Sequence, residues 1–274
     1  MAARYEGAGV LRCMQETLET LLLGIIEGIT EFLPVSSTGH LLIAQHWLGH
    51  RSELFNVVIQ VGAILGVVVV YWRRLLELAL RFGKPENRDY LVKLVTSFLI
   101  TAVGGFVAKQ LGVELPETVA PVAWALVAGG VLILAIEWRL ANVVPNERVT
   151  WSVAVWVGVA QVVAAVFPGT SRSAAAIFAA MLAGMTSRPA AAEFAFIVGI
   201  PTMFAAAGYE LLKLLRTTGA QGEDWGALGL AFAVSAVVAF ASVKWLLLYI
   251  RAHRFTPFAW YRIAFGAILL IAVR

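Results

Sequence analysis

The 274-residue sequence has little charge: Asp, Glu, Lys and Arg make up 14% of it, against about 25% in an ordinary soluble domain. Apolar residues make up 60%, where soluble proteins contain about 45–50%. So few polar residues cannot cover the surface of a water-soluble globule of this size. The composition therefore excludes a soluble fold and a disordered chain, and it predicts a protein that lies in a lipid bilayer.

Cysteine is nearly absent, since Cys13 is the only one, and this excludes an internal disulfide and a disulfide-built secreted scaffold. The first 18 residues lack an apolar core that ends in a cleavage site, so we expect the first apolar segment to remain in the mature protein. Metal and nucleotide motifs of the HExxH, CxxC and P-loop types are also absent. The formal net charge is +4. In a membrane protein such a basic excess usually lies in cytoplasmic loops beside anionic lipid, so we expect no binding to nucleic acid.

Six apolar segments are long enough to cross a bilayer, which takes about 20 residues. These predicted spans are 54–72, 90–111, 119–139, 190–212, 226–250 and 257–273. Two further apolar stretches, 18–49 and 152–185, are each interrupted by a polar turn. Because proline and glycine stop helices, we interpret both stretches as re-entrant helix–turn–helix hairpins, tolerated where protein or water surrounds the tip. Kinked ordinary spans are the alternative.

The two broken stretches resemble each other. At an offset of 134 residues, Gly24 pairs with Gly158, Glu27 with Gln161, Pro34 with Pro168, Ser36 with Thr170, Ser37 with Ser171 and Thr38 with Arg172. This pattern predicts a single all-α membrane domain, 1–274, made of two repeats at about 18–140 and 152–273. Each repeat has one hairpin and three spans, so the second is inverted relative to the first and the hairpin tips face each other near the midplane. A chance likeness of two turns is the alternative.

The basic residues indicate the orientation. The connection at 73–89 holds Arg73, Arg74, Arg81, Lys84 and Arg88, whereas 112–118 holds no Lys or Arg and carries Glu114 and Glu117. By the positive-inside rule the 73–89 side is cytoplasmic. Lys213 and Arg216 do not fit this orientation, which leaves them outside.

Ionisable groups in apolar stretches are costly and are therefore candidates for a functional site. Glu27 and Glu31 are four residues apart on a helix, so they lie on one face. Two like charges there require a shared proton or a cation. In the next turn, Ser36, Ser37, Thr38 and His40 supply hydroxyls and an imidazole that suit nucleophilic and proton-transfer chemistry.

The second turn contains Ser171, Arg172 and Ser173. Arginine binds phosphate oxygens bidentately, and turn N–H groups followed by a helix N-terminus also favour anions. Together the two tips offer carboxylates, hydroxyls, an imidazole and a guanidinium, a set suited to cleaving a phosphate ester or anhydride. An ion pair between Arg172 and Glu31 is the structural alternative.

Two motifs carry a resemblance to a known family. The first is Glu27-Gly28-Ile29-Thr30-Glu31-Phe32-Leu33-Pro34-Val35-Ser36-Ser37-Thr38-Gly39-His40, and the second is Pro168-Gly169-Thr170-Ser171-Arg172-Ser173. The chain resembles the bacitracin-resistance type undecaprenyl-diphosphate phosphatases in both motifs and along most of its length, including 55–60, 193–196 and 255–262. It departs from the family pattern at Ala174 and Ala176, where glycine and threonine are usual.

The resemblance implies a multi-pass enzyme of the bacterial cytoplasmic (inner) membrane. Its substrate would be a C55 polyprenyl diphosphate lipid, converted to the monophosphate during lipid-carrier recycling for cell-wall assembly, with Mg²⁺ or Ca²⁺ assisting. The active site would open to the outer face. A homodimer is compatible with the sequence, which does not set the oligomeric state.

Our mechanistic hypothesis assigns Ser37 as the nucleophile and His40 as general base and then acid. Glu27 and Glu31 hold the divalent cation, or Glu31 orients His40. Substrate oxygens are bound by Arg172, Ser171, Ser173, Thr38 and Ser36. In the rival mechanism His40 or Glu31 activates a water that attacks directly.

A secondary transporter or lipid flippase is the competing function class, because inverted repeats with broken helices also form transporters. Hydrolysis combined with return of the product lipid to the inner leaflet is compatible with the repeat. A structural scaffold does not explain the ionisable residues Glu27, Glu31 and Arg172.

Overall fold

A computed structural model describes residues 2–113, 118–217 and 223–272, with side chains from Met14 onward. The described residues form ten α-helices and no strand. The helices are α1 (Ala2–Thr30), α2 (Ser37–Leu48), α3 (Glu53–Leu80), α4 (Pro85–Gln110), α5 (Val119–Arg139), α6 (Trp151–Val166), α7 (Arg172–Leu182), α8 (Arg188–Thr217), α9 (Trp225–Ala252) and α10 (Thr256–Ala272).

Five of the described helices, α3, α4, α5, α8 and α9, are long and apolar enough to cross a membrane. This confirms the prediction of an all-helical, polytopic membrane protein. The sixth predicted span corresponds to α10, whose 17 residues extend about 25 Å. That length is slightly short of the roughly 30 Å hydrocarbon core.

Both interrupted stretches consist of two helices separated by a turn. The first break lies between Thr30 and Ser37, and the second between Val166 and Arg172. The residues before α2 and α7 are Ser36 and Ser171, and both adopt a positive φ, 75° and 67° respectively. The helix starts are thus 135 residues apart, one more than the offset between the prolines, because the second turn has one more residue than the first between its proline and the following helix.

The helices that precede the two breaks pack on helices of the opposite half of the chain. Helix α1 packs on α9 and α6 packs on α4, while α3 packs on α9 and α5 on α10. Close approach depends on Gly24, where a Cβ would lie 2.9 Å from the Ala231 carbonyl oxygen, and on Gly158, where it would lie 2.8 Å from that of Ser97. These two glycines are the pair that the sequence offset aligns.

Ion pairs join helix ends that share a side of the bundle. Arg188 at the start of α8 pairs with Glu137 at the end of α5 at 2.5 Å. Lys109 at the end of α4 pairs with Glu210 near the end of α8 at 2.6 Å. The end of α5 therefore shares a side with the start of α8, and the end of α4 shares a side with the end of α8. The acidic pair Glu114 and Glu117, used to predict orientation, lies outside the described residues.

Candidate functional site

The first turn brings a carboxylate against a hydroxyl. Glu27, Glu31 and Ser36 are buried at the end of α1 and in the turn. As the backbone reverses at Ser36, helix α2 starts at Ser37, whose Oγ donates a short hydrogen bond to Glu31 Oε2. The backbone at Ser36 is strained, since a non-glycine residue at positive φ costs about 1–3 kcal/mol, and such strain is typical of functional sites.

The second turn places a helix N-terminus beside the first. Gly169 adopts φ 87°, and Ser171 caps α7 by accepting a 3.3 Å hydrogen bond from the N–H of Ala174. The hydroxyls of Ser171 and Ser173 are 3.1 Å apart. Ser173 Oγ also donates to the Leu33 carbonyl at 3.1 Å. The two turns are therefore in direct contact.

A polar cavity of about 60 Å³ lies between the turns. Its lining is Glu31, Ser36, Ser37, Thr38, Gln60, Ala164, Gly169, Ser171 and Arg172. A larger cavity of about 390 Å³ adjoins it and shares Ser37, Thr38 and Gln60. Glu27, His50 and Arg51 line this larger cavity, which lies near the N-terminal end of α3. The cavities together form a polar path to the junction of the turns.

Arg172 lines the smaller cavity at the first position of α7. Within the described part of the chain, no carboxylate lies within ion-pair distance of its guanidinium. Glu31 lines the same cavity but forms no ion pair with the Arg172 guanidinium. The structural alternative, an ion pair between Arg172 and Glu31, is therefore not observed. A guanidinium that faces a polar cavity without a carboxylate partner is suited to an anionic ligand.

His40 lies one turn into α2, and its hydrogen-bond partners are residues other than Glu31. Its Nδ1 lies 2.7 Å from the Ser36 carbonyl oxygen and its Nε2 2.6 Å from the Tyr261 hydroxyl. A carbonyl only accepts, so Nδ1 carries a proton, and in the neutral ring Nε2 accepts from Tyr261. The imidazole also stacks on Phe265 at 4.5 Å. Neither described hydrogen bond of His40 involves Ser37, so its role as general base stays a prediction.

Glu27 has chemistry that suits a cation. Its side chain is 2% exposed, and its Oε2 has no hydrogen-bond partner among the described residues. A buried oxygen of this kind needs a partner, and carboxylates are the ligands that Mg²⁺ and Ca²⁺ prefer. Among the described residues no group of three His, Cys, Asp or Glu is placed to share an ion. A cation here would take its remaining ligands from water or substrate.

Three further residues near the site have no role predicted from the sequence: Gln60, Tyr261 and Arg262. Gln60 lines both cavities, and Tyr261 contacts His40. Arg262 is fully buried and bonds to both turns. It lies in the predicted span 257–273, so the rule that singles out ionisable residues in apolar segments applies to it as well.

Comparison with known protein families identifies the family of this chain. Residues 20–268 match the family described as Bacitracin resistance protein BacA. The chain belongs to the BacA family. The match to BacA includes both turns, all the candidate site residues and Arg262, and it confirms the family resemblance carried by the two motifs.

Curated relatives cover nearly the whole chain. A protein of Rhizobium etli (strain CIAT 652) named undecaprenyl-diphosphatase is 63% identical over 253 residues, which is 92% of this chain and 96% of the relative. Proteins with the same name from Xylella fastidiosa (strain 9a5c) and Xanthomonas oryzae pv. oryzae (strain PXO99A) are 56% and 54% identical. They cover 94% of this chain, and the match spans 98% and 97% of those relatives.

Proposed function

We propose that this BacA-family protein is an undecaprenyl-diphosphatase that hydrolyses a polyprenyl diphosphate to the monophosphate and inorganic phosphate. One observation carries the proposal: the cavity between the two turns is lined by the hydrogen-bonded Ser37 and Glu31 and by Arg172, whose guanidinium pairs with no described carboxylate. A nucleophile with a proton acceptor, in one cavity with an anion-binding group, is the arrangement that phosphoryl transfer needs. The undecaprenyl-diphosphatase relatives support the same activity.

The chemistry starts at Ser37. Its Oγ attacks the terminal phosphorus while Glu31, to which the hydroxyl already donates, takes the proton. The bond from phosphorus to the bridging oxygen breaks, and the lipid monophosphate leaves. Water then attacks the phosphoserine, the bond from phosphorus to Oγ breaks, and Glu31 returns its proton to Oγ. The oxygen and protons of the water leave in the inorganic phosphate. Arg172 stabilises the charge on the transferring group throughout.

The mechanism expected from the sequence leaves two alternatives to this route: acid–base catalysis by His40 and direct attack by water. His40 remains a predicted acid–base group, and through its bonds to Ser36 and Tyr261 it also holds the start of α2. Direct attack by water remains the rival route, with Ser37 binding phosphate only. Further phosphate oxygens are assigned to Thr38, Ser36, Ser171 and Ser173 in either route.

Glu27 and Glu31 are the proposed ligands of a divalent cation, Mg²⁺ or Ca²⁺. Both are buried, and the free Oε2 of Glu27 fits such an ion. When bound, the cation would neutralise negative charge on the diphosphate. The protein's own part is to keep the two carboxylates on one helix face, four residues apart.

We also propose that the site faces the outer side of the bacterial inner membrane. The larger cavity lies near the start of α3, and the basic connection after α3 lies at the opposite end of that helix. Hairpins α1–α2 and α6–α7 are proposed to be re-entrant and to belong to inverted repeats, because α2 and α7 have 12 and 11 residues, too few to cross. The lipid head group would then enter from outside.

Release of inorganic phosphate by the purified protein in detergent tests this function. A phosphatase releases phosphate from polyprenyl diphosphate without a membrane, whereas a transporter does no chemistry there. We expect turnover in Mg²⁺ or Ca²⁺ and its loss in EDTA, with recovery when the ion is restored. Absence of turnover in every divalent ion would refute the phosphatase, and undiminished turnover in EDTA would refute the cation site.

A further inference from the structure

Arg262 is a charged residue in the centre of the bundle. It lies on α10, its side chain is fully buried at 0% exposure, and it forms no ion pair with any described carboxylate. Burying a cation without a counter-ion costs several kcal/mol unless hydrogen bonds compensate. An apolar residue of similar volume would avoid that cost. Its presence therefore needs a reason beyond packing.

The guanidinium compensates by donating to backbone carbonyls of three separate segments. Its Nη1 reaches Pro34 in the first turn at 3.4 Å. Its Nη2 reaches Gly169 and Thr170 in the second turn, each at 3.1 Å. The remaining bonds, to Ala125 and Leu126 of α5, are 3.1 and 3.4 Å long. One planar group thus connects both turns to the helix pair α5–α10.

The surroundings make room for this group. At Gly129 on α5 a Cβ would overlap the guanidinium. At Gly169 a Cβ would lie 2.8 Å from the Val122 carbonyl oxygen, so the second turn is held close against α5. Both glycines keep the turn, α5 and α10 near enough for Arg262 to reach all its acceptors.

We propose that Arg262 is a positioning residue that sets the spacing between the two turns and hence between Ser37 and Arg172. Ser37 lies three residues after Pro34, and Arg172 lies three residues after Gly169. A guanidinium that bonds to both turns holds the nucleophile and the anion-binding group at a constant separation. This inference rests on the proposed phosphatase function, because the separation matters only if the two groups act on one substrate.

Two substitutions test the geometry. Arg262→Lys keeps the charge but replaces the five-donor fork by a point donor that cannot span both turns, and Arg262→Gln removes the charge as well. Misplacement of reacting groups by about 1 Å costs about 100-fold in rate. We expect kcat to fall about 100-fold in Arg262→Gln and less in Arg262→Lys, with the larger change in kcat rather than in KM, because Arg172 still binds phosphate.

Arg188→Gln is the matched control. Arg188 is another arginine that joins elements: it connects the start of α8 to Glu137 at the end of α5 at 2.9 and 2.5 Å, and it bonds to neither turn. Its loss should lower thermal stability and leave kcat of the folded enzyme near wild type. If Arg262→Gln is not recovered folded, Gly129→Ala takes its place, since it displaces the guanidinium without removing it.

Amide hydrogen exchange gives a readout that does not depend on activity. We expect exchange to accelerate in both turns, 31–37 and 167–173, in the Arg262 variants, while α3 and α9 keep wild-type protection. Wild-type kcat, or wild-type exchange in both turns, would overturn the positioning role. An inactive wild-type protein would instead refute the phosphatase, so the two failures are distinguishable.

Discussion

Ser37 is the residue that distinguishes covalent catalysis from direct attack by water. In Ser37→Ala we expect phosphate release to fall by at least about 1000-fold, because a nucleophile cannot be replaced by its neighbours. Ser235→Ala is the control, since Ser235 is a buried serine whose Oγ bonds to the Ile59 carbonyl at 2.7 Å between α9 and α3. Mass spectrometry of acid-quenched enzyme should detect phosphoserine at Ser37. Substantial turnover by Ser37→Ala would favour the water mechanism.

We expect that Arg172 can be removed with little effect on folding. It forms no ion pair with a described carboxylate, so Arg172→Ala should unfold within a few degrees of wild type. Arginines that stabilise a transferring phosphoryl group are worth about 10³–10⁵ in rate. We expect at least a 1000-fold lower kcat/KM, measured as phosphate release, with Arg172→Lys intermediate. Normal turnover would refute the assignment of the second turn to the site.

Buried ionisable residues were the part of the site that the sequence could predict. The cost of charge in an apolar stretch applies to Glu27, Glu31 and Arg172, and the structure gathers them with Ser37 around adjoining cavities. The pairing of Ser37 with Glu31 rather than with His40 could not be predicted. It depends on the strained backbone of Ser36, which sets the direction in which α2 leaves the turn.

At the scale of the element, the second turn should be the most sensitive backbone segment. Gly169 has φ 87° and no space for a Cβ against Val122, so Gly169→Ala should destabilise by about 1–3 kcal/mol and lower activity. Gly105→Ala is the control: it lies inside α4 with open space around it and should stabilise by about 0.5–1 kcal/mol. Thermal unfolding and phosphate release check both. Equal effects of the two changes would contradict the account of the turn.

The helices themselves were largely predictable from hydrophobic runs. Each of the six predicted spans corresponds to a described helix, and Pro34 and Pro168 lie in the two breaks. The first break was placed too late, because Ser37, Thr38 and His40, predicted in the turn, belong to α2. The ends were less accurate: α3 continues to Leu80, beyond the predicted 72, because Arg74 pairs with Glu77 and Glu193 instead of ending the helix. An alignment at constant offset also could not show the extra residue between Pro168 and the start of α7.

At the scale of the whole molecule, orientation is testable with single cysteines. Cys13 is the only native one, so a Cys13→Ser background permits labelling at one new position at a time. Val113 and Gly83 are both exposed, at opposite ends of α4. A membrane-impermeant maleimide added to spheroplasts should label Val113→Cys and spare Gly83→Cys until the cells are lysed. The reverse pattern would invert the topology and place the site on the cytoplasmic side.

Packing across the molecule was the least predictable level. The contacts of α1 with α9, α4 with α6 and α5 with α10 join segments far apart in sequence, and no local pattern specifies them. Arg262 illustrates the limit. Its charge marks it as unusual, yet its bonds to both turns depend on how α5 and α10 close around the hairpins.

The central claim is that the two turns form one phosphatase site, and phosphate release by a set of purified variants tests it most directly. Wild type, Ser37→Ala, Arg172→Ala and Ser235→Ala would be assayed together in detergent on polyprenyl diphosphate with Mg²⁺. We expect turnover by wild type and Ser235→Ala, and at least a 1000-fold loss in Ser37→Ala and in Arg172→Ala. Turnover near wild type in both Ser37→Ala and Arg172→Ala would contradict it.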